Sequence, residues 1–506
     1  MRMVLRPGPD DLKLIGYYLG KVLFGLGLVI LIPAIVALSA REWNAATAFI
    51  IGSSLCLIVA GLSEALLATK RSLTWAHGMV IVAVAWLVGA IFAAVPFMLS
   101  GRFETPLAAI FEAMSALTTT GMSVIHDLDH TPLSEDFYRH LLQFAGGQGI
   151  VIVVLSLFVS GGAQAGTLYA AEARDERILP NFIRTARFIF AVAGTFLVVG
   201  TLALFGALTF AGFTPSRALY HAINLFFASF DTGGFSPMQA SMAYYHSFSV
   251  ELVVMVLMIA GTLSFGLHFA LWRGDPKNLL RHLETRTLAV TSTLFFATLA
   301  TGLVLAGTYD SATAVFRKGF FTLISAMSST GHQVNAGVTY LTDWGVLAPA
   351  ALVGAMAIGG MASSTAGGIK AIRVGLAFKA LTHDIRRILL PESAITVTTY
   401  STGRRQVLRD ATARSAMTVL LLFIVTYLIG TVTALLYGEY ALTEALFEAV
   451  SVGSNIGVSI GVVDPLMPQG LMAVYTVMMW LGRLEYVAVF ALVGYLFAIA
   501  RGRTNA

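Results

Sequence analysis

Apolar stretches of about twenty residues or more recur along the whole 506-residue chain, each long enough to cross a bilayer as a helix. They fall near residues 14–39, 44–68, 73–99, 138–161, 185–211, 248–272, 286–308, 345–380 (interrupted), 412–437 and 470–499. Such a chain has few folds open to it, because lipid offers backbone polar groups no partner outside a helix or a closed barrel. Composition agrees: 57% of residues are hydrophobic and 12% charged, against roughly 45–50% and 25% in soluble domains. The expected class is an all-α polytopic membrane protein with about ten transmembrane helices. The first stretch lacks a small-residue cleavage site and reads as an uncleaved span. The lone Cys56 excludes an intramolecular disulfide and, in an apolar run, reads as a small core residue.

Four further apolar segments, 105–118, 216–230, 313–328 and 441–453, are too short to cross and are expected to re-enter on one face. The basic residues then fall on the opposite side. Lys70 and Arg71 form one link, and Arg174, Arg177, Arg184 and Arg187 a second. Arg273, Lys277, Arg281 and Arg286 form a third, and Lys379, Arg386, Arg387, Arg404, Arg405, Arg409 and Arg414 the richest. Arg501 and Arg503 close the chain. The other face carries Asp127, Asp129, Glu135, Asp136, Asp310, Asp343, Glu439 and Asp464, with few basic residues. Both termini are therefore expected in the cytoplasm. The net charge of +5 reflects this topology, and no nucleic-acid partner is expected.

After two N-terminal helices (1–70), one pattern repeats four times: long helix, short segment, polar glycine turn, long helix. The repeats are placed at 71–175, 176–280, 281–381 and 412–506, with a polar cytoplasmic link at 382–411. Ile110-Phe111-Glu112-Ala113-Met114-Ser115 matches Leu446-Phe447-Glu448-Ala449-Val450-Ser451, and Phe320-Phe321-Thr322-Leu323-Ile324-Ser325 more loosely. Leu225-Phe226-Phe227-Ala228-Ser229 is the loosest version. Four related units in one chain predict pseudo-fourfold symmetry about a single pore.

The turns that follow are Thr119-Thr120-Gly121, Thr232-Gly233-Gly234, Ser329-Thr330-Gly331 and Asn455-Ile456-Gly457, with Gly234 in register with Gly121. A dehydrated cation needs oxygen dipoles in place of water, and rings of backbone carbonyls from re-entrant loops supply them. Glycine lets the backbone take the required conformations and lets four segments approach one axis. A short helix aiming its C-terminus at the centre favours a cation there. These twelve residues are the expected ion-binding filter; the alternative is four outer loops with incidental glycines.

Residues 359–373 interrupt the eighth apolar stretch with glycines and small hydroxylated residues, which make a poor helix. A backbone broken at membrane depth must be buried in protein or line a watery cavity. The alternative is a wet surface loop between two shorter helices.

Several features together resemble the TrkH/KtrB/HKT superfamily of potassium transporters, TrkH in particular. They are the first two turns, Phe144-Ala145-Gly146-Gly147-Gln148-Gly149-Ile150, the stretch 359–373 and Gly482-Arg483-Leu484-Glu485. The resemblance spans nearly the whole chain and implies a homodimer with one pore per chain, embedded in lipid, and a cytoplasmic nucleotide-binding regulatory ring of the TrkA type. It implies a gate below the filter formed by Gly359, Gly360, Ser363, Ser364, Thr365, Gly367 and Gly368, with Lys370 at its end, and a cavity arginine at Arg483. It implies potassium as the transported ion, since members with serine at the first filter glycine tend to select sodium, and no organic cofactor. The location implied is a prokaryotic plasma membrane, the inner one in a Gram-negative cell. Two departures stand out: the fourth turn lacks a Thr or Ser hydroxyl, and His332 follows the third glycine. His332 reads either as a proton-sensitive mouth or as a bystander.

Charges at membrane depth are costly and face a cavity or a partner. Arg483 either sets a barrier beneath the filter or clamps Glu485 or Glu448. Lys370 and Arg373 either snorkel to the interface or couple a cytoplasmic partner to the gate. Glu112 and Glu448 either anchor their own repeats or face ions. Asp231 either enriches cations at the mouth or is a solvated loop carboxylate. The function expected is channel-like potassium uptake driven by the membrane potential. The rival is a sodium- or proton-coupled secondary cation symporter, a class usually built on inverted repeats with ionisable midplane residues. No catalytic constellation stands in the spans, so no enzyme activity is expected.

Overall fold

The computed structural model describes residues 8–149, 182–335, 340–391, 394 and 396–501. The end of the stretch expected at 138–161, with Ile150, and Arg174, Arg177 and Arg503 lie outside the described residues. In chain order come α1 (Pro9–Ser39), α2 (Trp43–Leu67), α3 (Trp75–Ser100), α4 (Pro106–Leu117) and α5 (Leu133–Gly147). Next are α6 (Phe182–Phe210), α7 (Pro215–Phe230), α8 (Phe248–Thr262), α9 (Phe265–Trp272) and α10 (Lys277–Arg281). Then follow α11 (Leu283–Ala306), α12 (Ala312–Met327), α13 (Leu347–Ala357) and α14 (Ala371–Leu389). A small hairpin, β1 (Thr399–Ser401) and β2 (Arg405–Val407), precedes α15 (Asp410–Leu435), α16 (Leu442–Gly453), α17 (Gln469–Leu484) and α18 (Val487–Ala500).

Six helices among the described residues are long and apolar enough to cross a membrane, or eight if two sharply bent pairs count as spans. Their outer faces stay apolar: Val198, Val199 and Leu202 on α6 and Leu421, Ile424 and Leu428 on α15 are all exposed. Acyl chains, unlike water, cover such a face without penalty. The four short helices α4, α7, α12 and α16 lie inside. Phe111, Phe321 and Phe447 stand at one matching place on three of them, and each is fully buried. Their starts carry local signals. Thr105 Oγ1 accepts from Ala108 N at 3.2 Å, and Ser311 Oγ from Ala314 N at 3.1 Å. Pro106 and Pro215 open α4 and α7, where a missing N–H costs nothing.

Two expectations are corrected. The stretch 248–272 is not one straight helix: α8 and α9 meet at 103°. Leu263 there is extended and Ser264 caps the new helix, accepting from Leu267 N at 3.2 Å. The stretch 470–499 likewise breaks at 111° between α17 and α18, because Glu485 and Tyr486 are both left-handed, with φ of 48° and 69°. Within the link at 382–411, α14 runs on to Leu389 and the hairpin follows.

The interruption in the eighth stretch spans 358–370. Its two ends are pinned together by a parallel bridge between Ile358 and Ile369, with Gly359 N donating to Ile369 O at 2.9 Å. Ala371 N donates to Gly360 O at 3.0 Å. Ser363, Ser364 and Thr365 are buried, so this is not a wet surface loop. Neighbours take up its amides: Met361 N donates to Thr262 O at 3.1 Å and Ala362 N to Glu284 Oε1 at 2.7 Å. A broken backbone at membrane depth is tolerated on these terms.

Candidate permeation pathway

Each short helix ends in the same way. Thr120 N, Gly233 N, Thr330 N and Ile456 N donate five residues back, to Ser115 O, Ala228 O, Ser325 O and Ser451 O, at 2.8, 2.8, 2.9 and 3.0 Å. Thr119, Thr232, Ser329 and Asn455 each donate three residues back, at 3.1 to 3.3 Å. This pair of hydrogen bonds is a Schellman ending, which places the residue donating three back in the left-handed region. The φ values there are 55°, 52°, 58° and 55°. Glycine normally takes that place, because a Cβ costs about 1–2 kcal/mol in this conformation. Four polar, non-glycine residues holding it mark a demand for their side chains.

Two residues on, Gly121, Gly234, Gly331 and Gly457 are also left-handed, at φ of 83°, 73°, 94° and 89°. Gly234, rather than Gly233, takes the glycine position of turn two. Each of these glycines packs on the backbone carbonyl of another turn, closer than a Cβ would allow. Gly121 meets Gly233 O, Gly234 meets Thr330 O, Gly331 meets Ile456 O, and Gly457 meets Thr120 O. The chain of contacts passes through every turn once and closes on itself.

Outside this ring lies a cavity of about 660 Å³ that touches all four glycines, along with Ser123, Asp129, Arg139 and Asp464. On the other side, a cavity of about 880 Å³ is lined by Glu284, Ser363, Lys370, Arg373 and the hairpin residues Tyr400, Arg404 and Gln406. The stretch 358–370 stands between them against the first residues of turns two, three and four. Thr365 Oγ1 lies 3.2 Å from Thr232 Oγ1, and Ser329 Oγ donates to Gly367 O at 3.3 Å. Gly367 packs on Ser454 O and Asn455 too tightly for a Cβ, and Gly359 on Gly367 O likewise. Gly368 is left-handed at φ 69°, and Gly360 packs beneath Thr262 and Ala366.

Arg483, on α17, completes the set. Its Nη1 donates to Thr119 Oγ1 at 3.1 Å and to Thr365 O at 2.7 Å, and its Nη2 to Gly146 O at 2.8 Å. The clamp with Glu485 or Glu448 is not formed. Glu485 instead takes Arg373 in an ion pair, which also ends the reading of Arg373 as a snorkelling residue. Glu448 accepts from Ser459 Oγ at 2.6 Å and from the amides of Ile460 and Val463, both at 3.1 Å. Glu112 does the same for its own repeat, accepting from Ser123 Oγ and Val124 N at 3.0 Å and from Arg139 at 2.7 Å. Both glutamates are anchors.

Two other residues differ from expectation, and a third takes one of its two expected places. Lys370 does not snorkel: it is buried, and its Nζ donates to Ala366 O within its own stretch. Asp231 is neither at the mouth nor solvated; it is buried behind turn two, accepting from Gln148 Nε2 at 2.6 Å. His332 points into protein, its Nε2 3.1 Å from Ser229 Oγ, so the bystander reading fits.

The model of the TrkH family, described as a cation transport protein, matches residues 45–494. This chain belongs to the TrkH family. An uncharacterized cation transporter of Methanocaldococcus jannaschii is 30% identical over 497 residues, covering 98% of both chains. The Trk system potassium uptake protein TrkH of Escherichia coli (strain K12) is 30% identical over 342 residues, 65% of this chain and 67% of that one. The crystal structure of the potassium transporter TrkH from Vibrio parahaemolyticus superposes with a TM-score of 0.81 at 25% identity, covering 95% of this chain and 98% of that chain. The chain is thus a membrane protein of a transporter family.

In this TrkH-family chain, several residues that shape the candidate pathway leave little trace in the sequence. Gln143 and Glu284 carried no local signal, being single polar residues near helix termini or on an otherwise unremarked face. Asp129 and Asp464, counted above only among the acidic residues of one face, both line the outer cavity. Tyr427, whose hydroxyl lies 2.6 Å from Ser454 Oγ, sits in an apolar run and reads as core. A tyrosine held wholly inside a helix bundle needs a polar partner, and that was the signal available.

Proposed function

We propose that this chain takes up potassium across a prokaryotic plasma membrane as a channel-like, potential-driven transporter subunit. One observation carries the reading: four glycines and four preceding carbonyls contact one another in a closed ring. A ring built from four similar turns supports pseudo-fourfold organisation of the four helix–turn–helix repeats. Carbonyl dipoles at close quarters suit a dehydrated monovalent cation. The Trk relatives named for potassium uptake support potassium as that cation. An inside-negative potential supplies about 2.3 kcal/mol per charge per 100 mV, enough to concentrate the ion without a co-substrate.

The stretch 358–370 is the proposed gate. It fills the path just inside the ring, and its glycines and hydroxyls suit a loop that moves without baring its amides to lipid. Arg483, bonded to both turn one and the gate, adds a positive charge on the ion's way out. The charge distribution supports cytoplasmic termini, which puts the cavity edged by the hairpin on the cytoplasmic side. Family resemblance supports a homodimer and a nucleotide-binding ring of the TrkA type acting from that side. No titratable side chain belongs to the four turns, which disfavours the rival of a proton-coupled symporter.

Ion uptake into liposomes holding the purified chain tests this, comparing potassium, rubidium and sodium under an inside-negative potential, with Gly121→Ser beside the parent. The parent is expected to prefer potassium and rubidium, and the variant to lose that preference. Equal sodium and potassium uptake by the parent would remove the selectivity claim.

A further inference from the structure

The residues that precede the four ring glycines are Thr120, Gly233, Thr330 and Ile456, so turn two alone has no side chain there. In turns one and three the side chain is held from behind by a hydroxyl, with Thr118 Oγ1 2.7 Å from Thr120 Oγ1 and Ser328 Oγ 2.7 Å from Thr330 Oγ1. In turn two the space is filled from another element. Gln143 of α5 is fully buried; its Nε2 donates to Gly233 O at 2.5 Å, and its Oε1 accepts from Phe235 N at 3.3 Å. A Cβ on Gly233 would collide with the amide carbon, nitrogen and oxygen of Gln143. The φ of Gly233 is not left-handed, so backbone conformation does not require glycine there. The neighbouring side chain does.

We infer that Gln143 is a positioning residue that sets ion specificity, standing in for the side chain that turn two lacks. The inference rests on the four turns being the ion filter. Gly233 O is one of the four ring carbonyls and packs against Gly121. A carbonyl flanked by two glycines belongs to the most pliable backbone in the chain. The amide of Gln143 fixes its direction and engages one lone pair, and discrimination between cations depends on the number and field strength of such dipoles. Gln143 is itself held rigidly. One helical turn before it, Arg139 pairs with Glu112 at 2.7 Å and lies 4.0 Å from the centre of the Phe235 ring, the residue after Gly234.

The test compares potassium and sodium uptake into liposomes for the parent, Gln143→Ala, Gly233→Thr and the double variant. Gln143→Ala is expected to lower the potassium-to-sodium ratio about tenfold, the worth of one hydrogen bond to the filter. Gly233→Thr alone is expected to lose selectivity by collision. The double variant, with threonine in the emptied space, is expected to recover more of the ratio than either single one. A role in stability alone would change the amount of folded protein and leave the ratio of the two ions untouched. If Gln143→Ala does not fold, Gly233→Ala reads the same contact, with loss of the ratio expected. A parental ratio in Gln143→Ala, or in Gly233→Ala, overturns the inference, as does a double variant no better than the singles. A parent that does not discriminate between the ions would instead undo the filter reading on which the inference rests.

Discussion

Arg483 and Thr365 meet just inside the ring of glycines, the guanidinium donating to the threonine carbonyl at 2.7 Å. The same nitrogen reaches Thr119 Oγ1 at 3.1 Å, so one side chain ties the proposed gate to the first turn. It also leaves a fixed positive charge beside the proposed cation path. At an effective dielectric of about 20, unit charges about 4 Å apart repel by about 4 kcal/mol. Replacing Arg483 by alanine removes both the tie and the barrier. Potassium uptake into liposomes is expected to rise at least about tenfold, since each 1.4 kcal/mol of barrier is a factor of ten. Unchanged uptake in Arg483→Ala would show that the charge does not control permeation.

Thr119 holds a left-handed φ of 55° at a place glycine would take without strain. Thr119→Gly is expected to relieve about 1 kcal/mol of local strain while removing the hydroxyl that Arg483 contacts. Ion uptake should therefore change although the protein is no less stable. Thermal unfolding in detergent, measured beside uptake, separates the two effects. A large fall in melting temperature would count against the strain argument.

Gly331 is left-handed at φ 94° and abuts Ile456 O, with no room for a methyl group. Gly331→Ala has to displace either turn three or turn four. Potassium uptake is expected to fall at least about tenfold, because strain and overpacking of this kind cost about 1–3 kcal/mol each. Gly307, which ends α11 at φ 65° with open space around it, is the control. Gly307→Ala meets the same backbone penalty without the collision, so its uptake should stay near that of the parent. Equal loss in both variants would mean that closeness to Ile456 O is irrelevant.

Glu485, at the bend between α17 and α18, pairs with Arg373, in the first turn of α14 just after the proposed gate. With side-chain exposures of 6% for Glu485 and 18% for Arg373, the pair is largely desolvated. Removing one partner of a buried pair costs about 3–5 kcal/mol, and this edge-of-cavity position should fall at the lower end. Glu485→Gln and Arg373→Gln are each expected to lower the melting temperature, and the double variant by less than the sum of the two. Additive losses would mean that the two residues do not act together.

Much of the fold was readable locally. The bilayer demands long apolar helices and charged links, so α1, α2, α3, α6, α11 and α15 stand close to where the apolar stretches predict them. The four short helices lie within a residue or two of 105–118, 216–230, 313–328 and 441–453, because Thr-Pro, Ser and glycine signals at their ends act over three or four residues. The turn residues were visible for the same reason. Each lies directly after its helix, where the Schellman ending fixes the backbone.

Contacts between segments far apart in the chain had no such local signature. The bends between α8 and α9 and between α17 and α18 fall at Leu263 and at Glu485 with Tyr486, none of them a helix breaker by type. The second bend is held by Arg373, 112 residues from Glu485, and by Thr426, whose Oγ1 lies 2.8 Å from the Tyr486 hydroxyl. Arg483 was visible as a costly charge in an apolar run, but its partners Thr119, Gly146 and Thr365 come from three other parts of the chain. Gln143 gave no sign of its place beside Gly233 until the two were brought together. Local pattern is enough to say which segments are apolar helices, which are too short to cross, and where the four short helices end, since lipid and capping act on neighbouring residues. Which carbonyl each glycine faces and which partner each buried polar group takes come from the assembled fold, because those energies depend on distances that no local pattern encodes.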